Sequence, residues 1–311
     1  MEHPIRDNLA QHVGKYIFVF ILIFVLGVVV IVVYREWDTF STFNWKINIP
    51  FLLLSAILHG FSVSSNCFAW HLMVKHFSKE VSWRTNLYIF GVSTLARRIP
   101  MPIWYLGSRL ALYPPKGIST QIVTVASAFE AVFLGLSGAL LSLLFLMLYP
   151  SLTNAIPSFV VLVTVCVVLA LLLIAGFHPT LFLRILNWFL DRVKKEPLNS
   201  SVSRSKMLTW LLVYIFAWLF EGVAIFFVFS GLTGISQNFY FAVGIGILST
   251  FVGIIAQLLP AGFGLKELSL SLLVSGWLPL SVGLAVAVIY RLIVTLLELV
   301  FALGTRAIGD R

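Results

Sequence analysis

The sequence predicts an all-α integral membrane protein with six full transmembrane helices and two broken helical hairpins. Of its 311 residues, 60% are apolar and only 11% are charged, fewer charges than a water-soluble chain of this length carries. Several apolar windows are long enough to cross a hydrocarbon core of about 30 Å. They lie at 15–34, 50–74, 118–148, 157–176, 207–231 and 281–304. Two further apolar windows, 85–113 and 239–277, are interrupted by proline and glycine.

We expect a single polytopic membrane domain over residues 1–311. The window 15–34 is too long for a signal-peptide core and lacks a small-residue cleavage site, so we expect it to remain as the first helix. The window 157–176 is expected to link two larger groups of helices. The polar segment 178–206 then predicts a loop that contains one interfacial helix.

Loop charges predict how these helices are oriented. The loops at 75–84 and 184–206 are rich in lysine and arginine, whereas those at 149–157 and 231–238 carry no charged residue. Because basic loops stay in the cytoplasm, we expect both termini to be cytoplasmic in a protein of the cytoplasmic membrane. The net charge of +9 therefore indicates orientation and contact with anionic lipid headgroups. No nucleic-acid-binding motif is visible, and we expect no nucleic-acid partner.

The order helix, broken hairpin, helix occurs twice, at 50–148 and at 207–304. A shift of 160 residues places Pro100 on Pro260. The loop charges start the first unit outside and the second inside, so the two units form an inverted repeat, an arrangement typical of secondary transporters. The hairpins are either re-entrant or pairs of full crossings. Re-entrant hairpins would enter from opposite faces with their tips meeting near the midplane, and in both cases the two termini are cytoplasmic.

The breaks in the two hairpins are the most unusual feature of the chain. Proline and glycine at membrane depth free backbone groups that hydrocarbon cannot satisfy, so such breaks belong inside protein or beside a water-filled cavity. The residues predicted to form them are Pro100, Pro102, Pro260, Gly262 and Gly264.

Charged residues beside the breaks and inside the spans predict a binding site. Charges at membrane depth are costly and usually functional, although internal salt bridges that hold the helices together are the alternative. The candidate substrate-binding residues are Arg97, Arg98, Arg109, Glu130, Lys266, Glu267 and Arg291. Together with Glu221 and Glu298 they comprise five bases and four acids. This surplus of cations favours an anionic headgroup, which the helix N-termini at the breaks would also attract.

A polar face on the window 50–74 predicts a cavity lining. Ser55, His59, Ser62 and Asn66 follow a spacing that places them on one side of a helix. His59, Asn66 and Glu221 are the candidate lining residues, and interhelical hydrogen bonding is the alternative. A lone histidine does not by itself indicate a proton relay. No nucleotide-binding, metal-binding or catalytic motif is visible, so we expect a transporter without a cofactor and not an enzyme.

The motif Leu-Pro-Ala-Gly-Phe-Gly-Leu-Lys-Glu at 259–267, followed by Tyr290-Arg291, resembles the C-terminal signature of the lysylphosphatidylglycerol synthase transmembrane region. In the first half, Arg-Ile-Pro at 98–100, Gly-x-Arg at 107–109 and Glu130 resemble the same family. The resemblance covers nearly the whole chain and implies a stand-alone member without the synthase domain. By motif match it implies roles for Pro100, Arg109, Glu130, Pro260, Gly262, Gly264, Glu267 and Arg291. The chain departs from the family at Lys266, where arginine is usual.

The resemblance implies a flippase-like domain, and two functions remain open. The first is a lipid or glycolipid flippase for a lipid with an anionic or modified headgroup. The second is a membrane-embedded subunit or transferase that acts with a separate lipid-modifying enzyme on aminoacyl or glycosyl transfer to lipid. Membrane lipids are the expected partners in both cases.

Overall fold

The computed structural model describes residues 34, 37–97, 103–149, 166–167, 170, 179–192, 202–234, 239–256 and 265–309. Every regular element in these ranges is helical. In chain order they are α1 (Trp37–Thr42), α2 (Ile49–Phe77), α3 (Trp83–Ala96), α4 (Ile103–Leu112), α5 (Thr120–Leu148), α6 (Pro179–Arg192), α7 (Arg204–Thr233), α8 (Phe239–Ala256), α9 (Leu265–Val274) and α10 (Leu280–Gly309). A short 3₁₀ turn at Pro114–Lys116 follows α4.

Among the described residues, 4 helices are long and apolar enough to cross a membrane: Ile49–Phe77, Thr120–Leu148, Arg204–Thr233 and Leu280–Ala307. They confirm four of the six predicted spans. The other two windows, 15–34 and 157–176, fall almost entirely outside the described residues. The helix predicted within the polar segment 178–206 is confirmed as α6.

Local chemistry determines where the long helices begin. α2, α5 and α7 are preceded by Asn48, Ser119 and Ser203, and each side chain accepts a hydrogen bond from a backbone N–H of the first turn. Such caps satisfy donors that have no partner within the helix. α7 ends at Gly234, whose φ of 69° is left-handed and therefore suits glycine.

The two halves of the chain share the same order of helix lengths. In the first half α2, α3, α4 and α5 contain 29, 14, 10 and 29 residues. In the second half α7, α8, α9 and α10 contain 30, 18, 10 and 30 residues. The predicted breaks lie between α3 and α4 and between α8 and α9. The break residues Pro100, Pro102, Pro260, Gly262 and Gly264, with Arg98, lie outside the described residues.

The first helices of the two halves, α2 and α7, form an antiparallel pair with the most extensive helix–helix contact among the described residues. The Asn48 N–H donates to the Gly231 carbonyl at 2.7 Å. The Ser55 hydroxyl donates to the Ala224 carbonyl at 2.8 Å. At the other end, Lys206 Nζ lies 2.9 Å from His76 Nδ1. The residue numbers rise along α2 while they fall along α7, so the two helices run in opposite directions along their full length.

Other helices pack across the two halves in a reciprocal way. The short helix α3 of the first half packs against α10, and the short helix α8 of the second half packs against α5. Close contacts also form inside the second half, where a Cβ added at Gly246 would lie 3.1 Å from the Gly222 carbonyl oxygen. The absence of a side chain at Gly246 thus lets α7 and α8 approach closely. The arrangement brings the buried faces of both halves together.

Candidate functional site

The charged side chains of the two halves meet in the interior of the helix bundle. All four acids there are at least nine-tenths buried. The described members are Arg97, Arg109, Lys266, Arg291, Glu130, Glu221, Glu267, Glu298 and His59. They belong to seven helices or helix ends, α2, α3, α4, α5, α7, α9 and α10. The structure therefore brings together residues that are up to 239 positions apart in the sequence.

The first-half cluster consists of Arg97, Tyr105, Arg109 and Glu130. Arg109 on α4 is fully buried and forms an ion pair through Nη1 with Glu130 on α5. Its Nη2 donates to Glu130 Oε1 at 3.3 Å, and the Tyr105 hydroxyl donates to the same oxygen at 2.8 Å. Arg109 Nε also donates to the Ser93 hydroxyl at 3.2 Å. Each partner offsets part of the cost of burying the two charges.

Aromatic rings cover the Arg109 guanidinium. Its Cζ lies 3.4 Å from the ring centroid of Trp70 and 4.0 Å from that of Tyr105. A guanidinium over an aromatic face is attracted by the negative potential of the ring, most strongly when it is desolvated. Arg109 is therefore sealed on several sides and cannot reach a ligand without rearrangement of these contacts.

A hydrogen-bond network holds Trp70 in place. Trp70 Nε1 donates to the Tyr113 hydroxyl at 2.6 Å, and that hydroxyl donates to Asn86 Oδ1 at 2.6 Å. Asn86 Nδ2 in turn lies 2.7 Å from His71 Nδ1. Sequence reasoning missed this network because its members come from α2, α3 and the end of α4, and no spacing pattern relates them.

Arg97 connects the first-half cluster to the second half. It follows the last residue of α3, its Nη2 lies 3.9 Å from Glu130 Oε1, and its Cζ lies 4.2 Å from the Tyr105 ring centroid. Its charge also interacts with that of Glu298 on α10. With 29% of its side chain exposed, Arg97 remains accessible where Arg109 does not.

The second-half cluster is centred on Glu221 of α7. His59 Nδ1 on α2 lies 2.8 Å from Glu221 Oε2. The Tyr290 hydroxyl on α10 donates to Glu221 Oε1 at 2.9 Å, and Lys266 Nζ lies 3.5 Å from the same oxygen. The other ring nitrogen of His59, Nε2, lies 3.9 Å from Glu298 Oε1. His59 therefore bridges two buried carboxylates.

A further ion pair joins α9 and α10. Arg291 Nη1 donates to Glu267 Oε1 at 2.6 Å. Glu267 lies in the first turn of α9, where the helix dipole favours a negative charge. The Arg291 side chain is 22% exposed and that of Lys266 is 28% exposed. Both cations combine a carboxylate partner with a surface that a ligand could contact.

The structure places most predicted site residues in these two clusters, but not Asn66. The Asn66 side chain donates to the Ser62 carbonyl one turn earlier in α2, at 3.0 Å, and its Oδ1 has no hydrogen-bond partner among the described residues. Ser55 bonds to α7, as in the interhelical alternative. Arg98 and the five break residues lie outside the described residues, so without Arg98 the described core holds four bases and four acids. The predicted surplus of cations depends on Arg98.

Comparison with known protein families gives one match. No curated protein matches the chain significantly. The family model for the lysylphosphatidylglycerol synthase TM region matches residues 17–302, which include both charged clusters and both breaks. The match and the apolar helices together identify an integral membrane protein. The chain belongs to the lysylphosphatidylglycerol synthase TM region family.

Proposed function

We propose that the protein is a transporter that moves a lipid with an anionic or modified headgroup across the cytoplasmic membrane, and that it is not an enzyme. The proposal rests on three partly exposed cations in the charged core. Arg97, Lys266 and Arg291 each keep between 22% and 29% of the side chain exposed while facing a buried carboxylate. A phosphate-containing headgroup is the kind of ligand that such cations bind.

Exchange of partners explains how such a core could pass a charged headgroup through the membrane. A buried charge left without a partner costs about 3–5 kcal/mol. A headgroup phosphate that replaces Glu267 beside Arg291, or Glu221 beside Lys266, leaves neither cation unpaired. The released Glu221 would retain His59 and Tyr290 as partners. The exchange at Lys266 therefore keeps both the cation and the displaced carboxylate compensated.

The arrangement of the helices supports an inverted repeat around this core. The corresponding helices α2 and α7 run antiparallel, and the packing of α3 on α10 mirrors that of α8 on α5. In such folds the substrate site lies between the repeats near the middle of the membrane. His76 and Lys206 place the basic loops at the same end of the pair, which supports cytoplasmic termini. We propose that the hairpins are re-entrant and approach the core from opposite faces.

The family supports a lipid substrate for this chain. Its name refers to a synthase of a phosphatidylglycerol derivative, and phosphatidylglycerol carries a single phosphate in its headgroup. We therefore choose phosphatidylglycerol as the probe. We expect no resident cofactor and no nucleic-acid partner, while a separate lipid-modifying enzyme is a possible source of the natural substrate.

Reconstitution tests the proposal directly. The purified protein is placed in phosphatidylcholine vesicles that contain a trace of acyl-labelled phosphatidylglycerol, and an impermeant quencher reports which leaflet holds the label. We expect translocation well above that of protein-free vesicles, and a loss of at least about tenfold, or 1.4 kcal/mol, in Lys266→Gln and in Arg291→Gln. The exposed pair of Lys206 and His76 supplies the matched control, Lys206→Gln.

Three outcomes would contradict the proposal. One is wild-type translocation equal to that of empty vesicles. Another is an unchanged rate in both core variants although they insert and fold as the control does. The third is chemical conversion of labelled lipid by the purified protein in detergent, which would support the transferase instead.

A further inference from the structure

His59 occupies an unusual position among the histidines of the chain. It is 5% exposed and lies between two carboxylates on different helices, Glu221 on α7 and Glu298 on α10. Among the described residues, its Nε2 has no hydrogen-bond partner. A buried polar atom without a partner is costly. The lone pair or hydrogen of Nε2 is therefore available within the charged core.

The number of hydrogens on the His59 ring determines what Nε2 presents to Glu298. Nδ1 lies 2.8 Å from a Glu221 oxygen, and this contact requires a hydrogen on Nδ1 because a carboxylate only accepts. In a neutral imidazole the other nitrogen is then an acceptor. Nε2 would thus present a lone pair to Glu298 Oε1, another acceptor, at 3.9 Å. One additional proton, on Nε2 or on Glu298, turns this unfavourable contact into an attractive one.

The described acids and bases around His59 are equal in number. From α7 it faces Glu221, and from α10 it faces Glu298 and the Tyr290 ring, whose centroid lies 6.4 Å away. Beyond these, Lys266 of α9 contacts Glu221, and Arg97 at the end of α3 interacts with Glu298. The other charged groups of the described core form two pairs, Arg109 on α4 with Glu130 on α5, and Arg291 on α10 with Glu267 on α9.

Four described bases therefore match four described acids when His59 is neutral. A proton taken up between His59 and Glu298 adds one positive charge to this balanced core. That charge favours the entry of an anionic headgroup, and by linkage the headgroup favours uptake of the proton to the same extent. Binding of both together leaves the core without a net change in charge.

We propose that His59 and Glu298 form a proton-binding site, and that one proton accompanies each anionic headgroup through the protein. The inference rests on the proposed transport function and adds a coupling ion to it. The proton enters from one aqueous side, binds Nε2 of His59 to form an imidazolium between the two carboxylates, and leaves on the other side when the headgroup leaves. No bond other than the N–H bond forms or breaks. Transport is then electroneutral, with one proton for each single negative charge.

A pH gradient across the reconstituted vesicles tests the coupling. With one proton per lipid, a difference of one pH unit should shift the distribution of labelled phosphatidylglycerol between the leaflets by up to about tenfold, toward the alkaline side. A membrane potential imposed at equal pH should shift nothing. The endpoint is the readout, because it does not depend on how fast each variant works.

Single substitutions test whether His59 and Glu298 form the proton-binding site. His59→Gln and Glu298→Gln should distribute the lipid equally between the leaflets in the presence of the gradient. The matched control is His71→Gln, since His71 lies on the same helix, is 8% exposed and bonds to Asn86. This control should keep the full shift of the wild type. A gradient effect that persists in His59→Gln would overturn the assignment.

The remaining outcomes separate this inference from the function on which it rests. Wild-type translocation that reaches equal leaflets with or without the gradient rejects proton coupling and leaves the transporter intact. If no vesicle shows translocation, the transport proposal fails for this lipid, and the site is tested in detergent by nitrogen NMR of labelled histidine. The resonance absent from His59→Gln must gain a proton at Nε2 on acidification and must respond to Glu298→Gln. A resonance that stays neutral while the protein remains folded would overturn the proposal.

Discussion

Both charged clusters pair cations with buried glutamates, but the cation in the closest ion pair is sealed in the first half and partly exposed in the second. In the first half, Arg109 is fully buried between Glu130 and the Trp70 ring. In the second half, Lys266 and Arg291 pair with acids but keep about a quarter of each side chain exposed. We infer different tasks for the two kinds of ion pair. A sealed ion pair stabilises one arrangement of helices. In a partly exposed pair, the cation can exchange its carboxylate for a ligand.

Distance from the helix break accounts for part of this difference. Arg97 lies one residue before the undescribed segment 98–102, and Lys266 is the second residue of α9, directly after the segment 257–264. Arg109 lies in the last turn of α4, well away from the break. Arg97 and Lys266, beside the breaks, are therefore partly exposed, whereas Arg109, farther along its helix, is sealed. Arg291 is 22% exposed although it lies well inside α10, so distance from a break is one factor among several.

The largest effect should come from removing one partner of the sealed pair. Arg109→Met leaves Glu130 as a buried charge, which should lower the free energy of unfolding by about 3–5 kcal/mol. Lys266→Met leaves Glu221 with His59 and Tyr290 and should cost much less. Thermal and denaturant unfolding in detergent measures both.

The double variant Arg109→Met/Glu130→Met is the control for the sealed pair. It removes both charges and should recover a large part of the lost stability, because no unpaired charge remains. Equal losses in Arg109→Met and Lys266→Met would remove the distinction between the two clusters.

A smaller effect should distinguish the two tyrosines that serve the clusters. Tyr113→Phe leaves Trp70 Nε1 and Asn86 Oδ1 without the hydroxyl that joins them. A buried polar group that loses its partner should lower the free energy of unfolding by about 1–3 kcal/mol. Tyr290→Phe removes one of several contacts of Glu221 and should cost only about 0.5–1.5 kcal/mol. The same unfolding measurement compares them, and a larger loss for Tyr290→Phe would reverse the ranking of the two clusters.

The sequence was sufficient to predict the four long helices described and to single out charged residues that the structure brings together. Apolar windows predicted four described spans closely, because length and hydropathy alone decide which segments can cross a membrane. Charges at membrane depth were correctly treated as groups that must find partners, because isolated they are too costly. For the same reason Glu130, Glu221 and Glu267 could be named without a structure.

The pairing of these charges could not be predicted. Nothing in the sequence indicates that His59 meets both Glu221 and Glu298, since the contacts join α2, α7 and α10. The sequence treats His59 and Asn66 alike because they share a helical face, yet only His59 reaches the charged core. About two helical turns separate a side chain that contacts another helix from one that bonds within its own helix. Periodicity specifies a face, but tertiary packing specifies the partner.

The smallest predicted effect concerns the residue that joins the two clusters. Arg97 lies 3.9 Å from Glu130 and also interacts with Glu298, so it should couple two acids on different halves. Substitutions at contacting or networked sites deviate from additivity by about 0.5 kcal/mol or more. We expect such a deviation for Glu130→Gln and Glu298→Gln in the wild type, measured as a double-mutant cycle of unfolding free energies. In an Arg97→Gln background the two effects should become additive, because the shared cation is gone. Coupling that survives in that background would show that the clusters communicate by a route other than Arg97, and coupling absent from the wild type would make them independent sites.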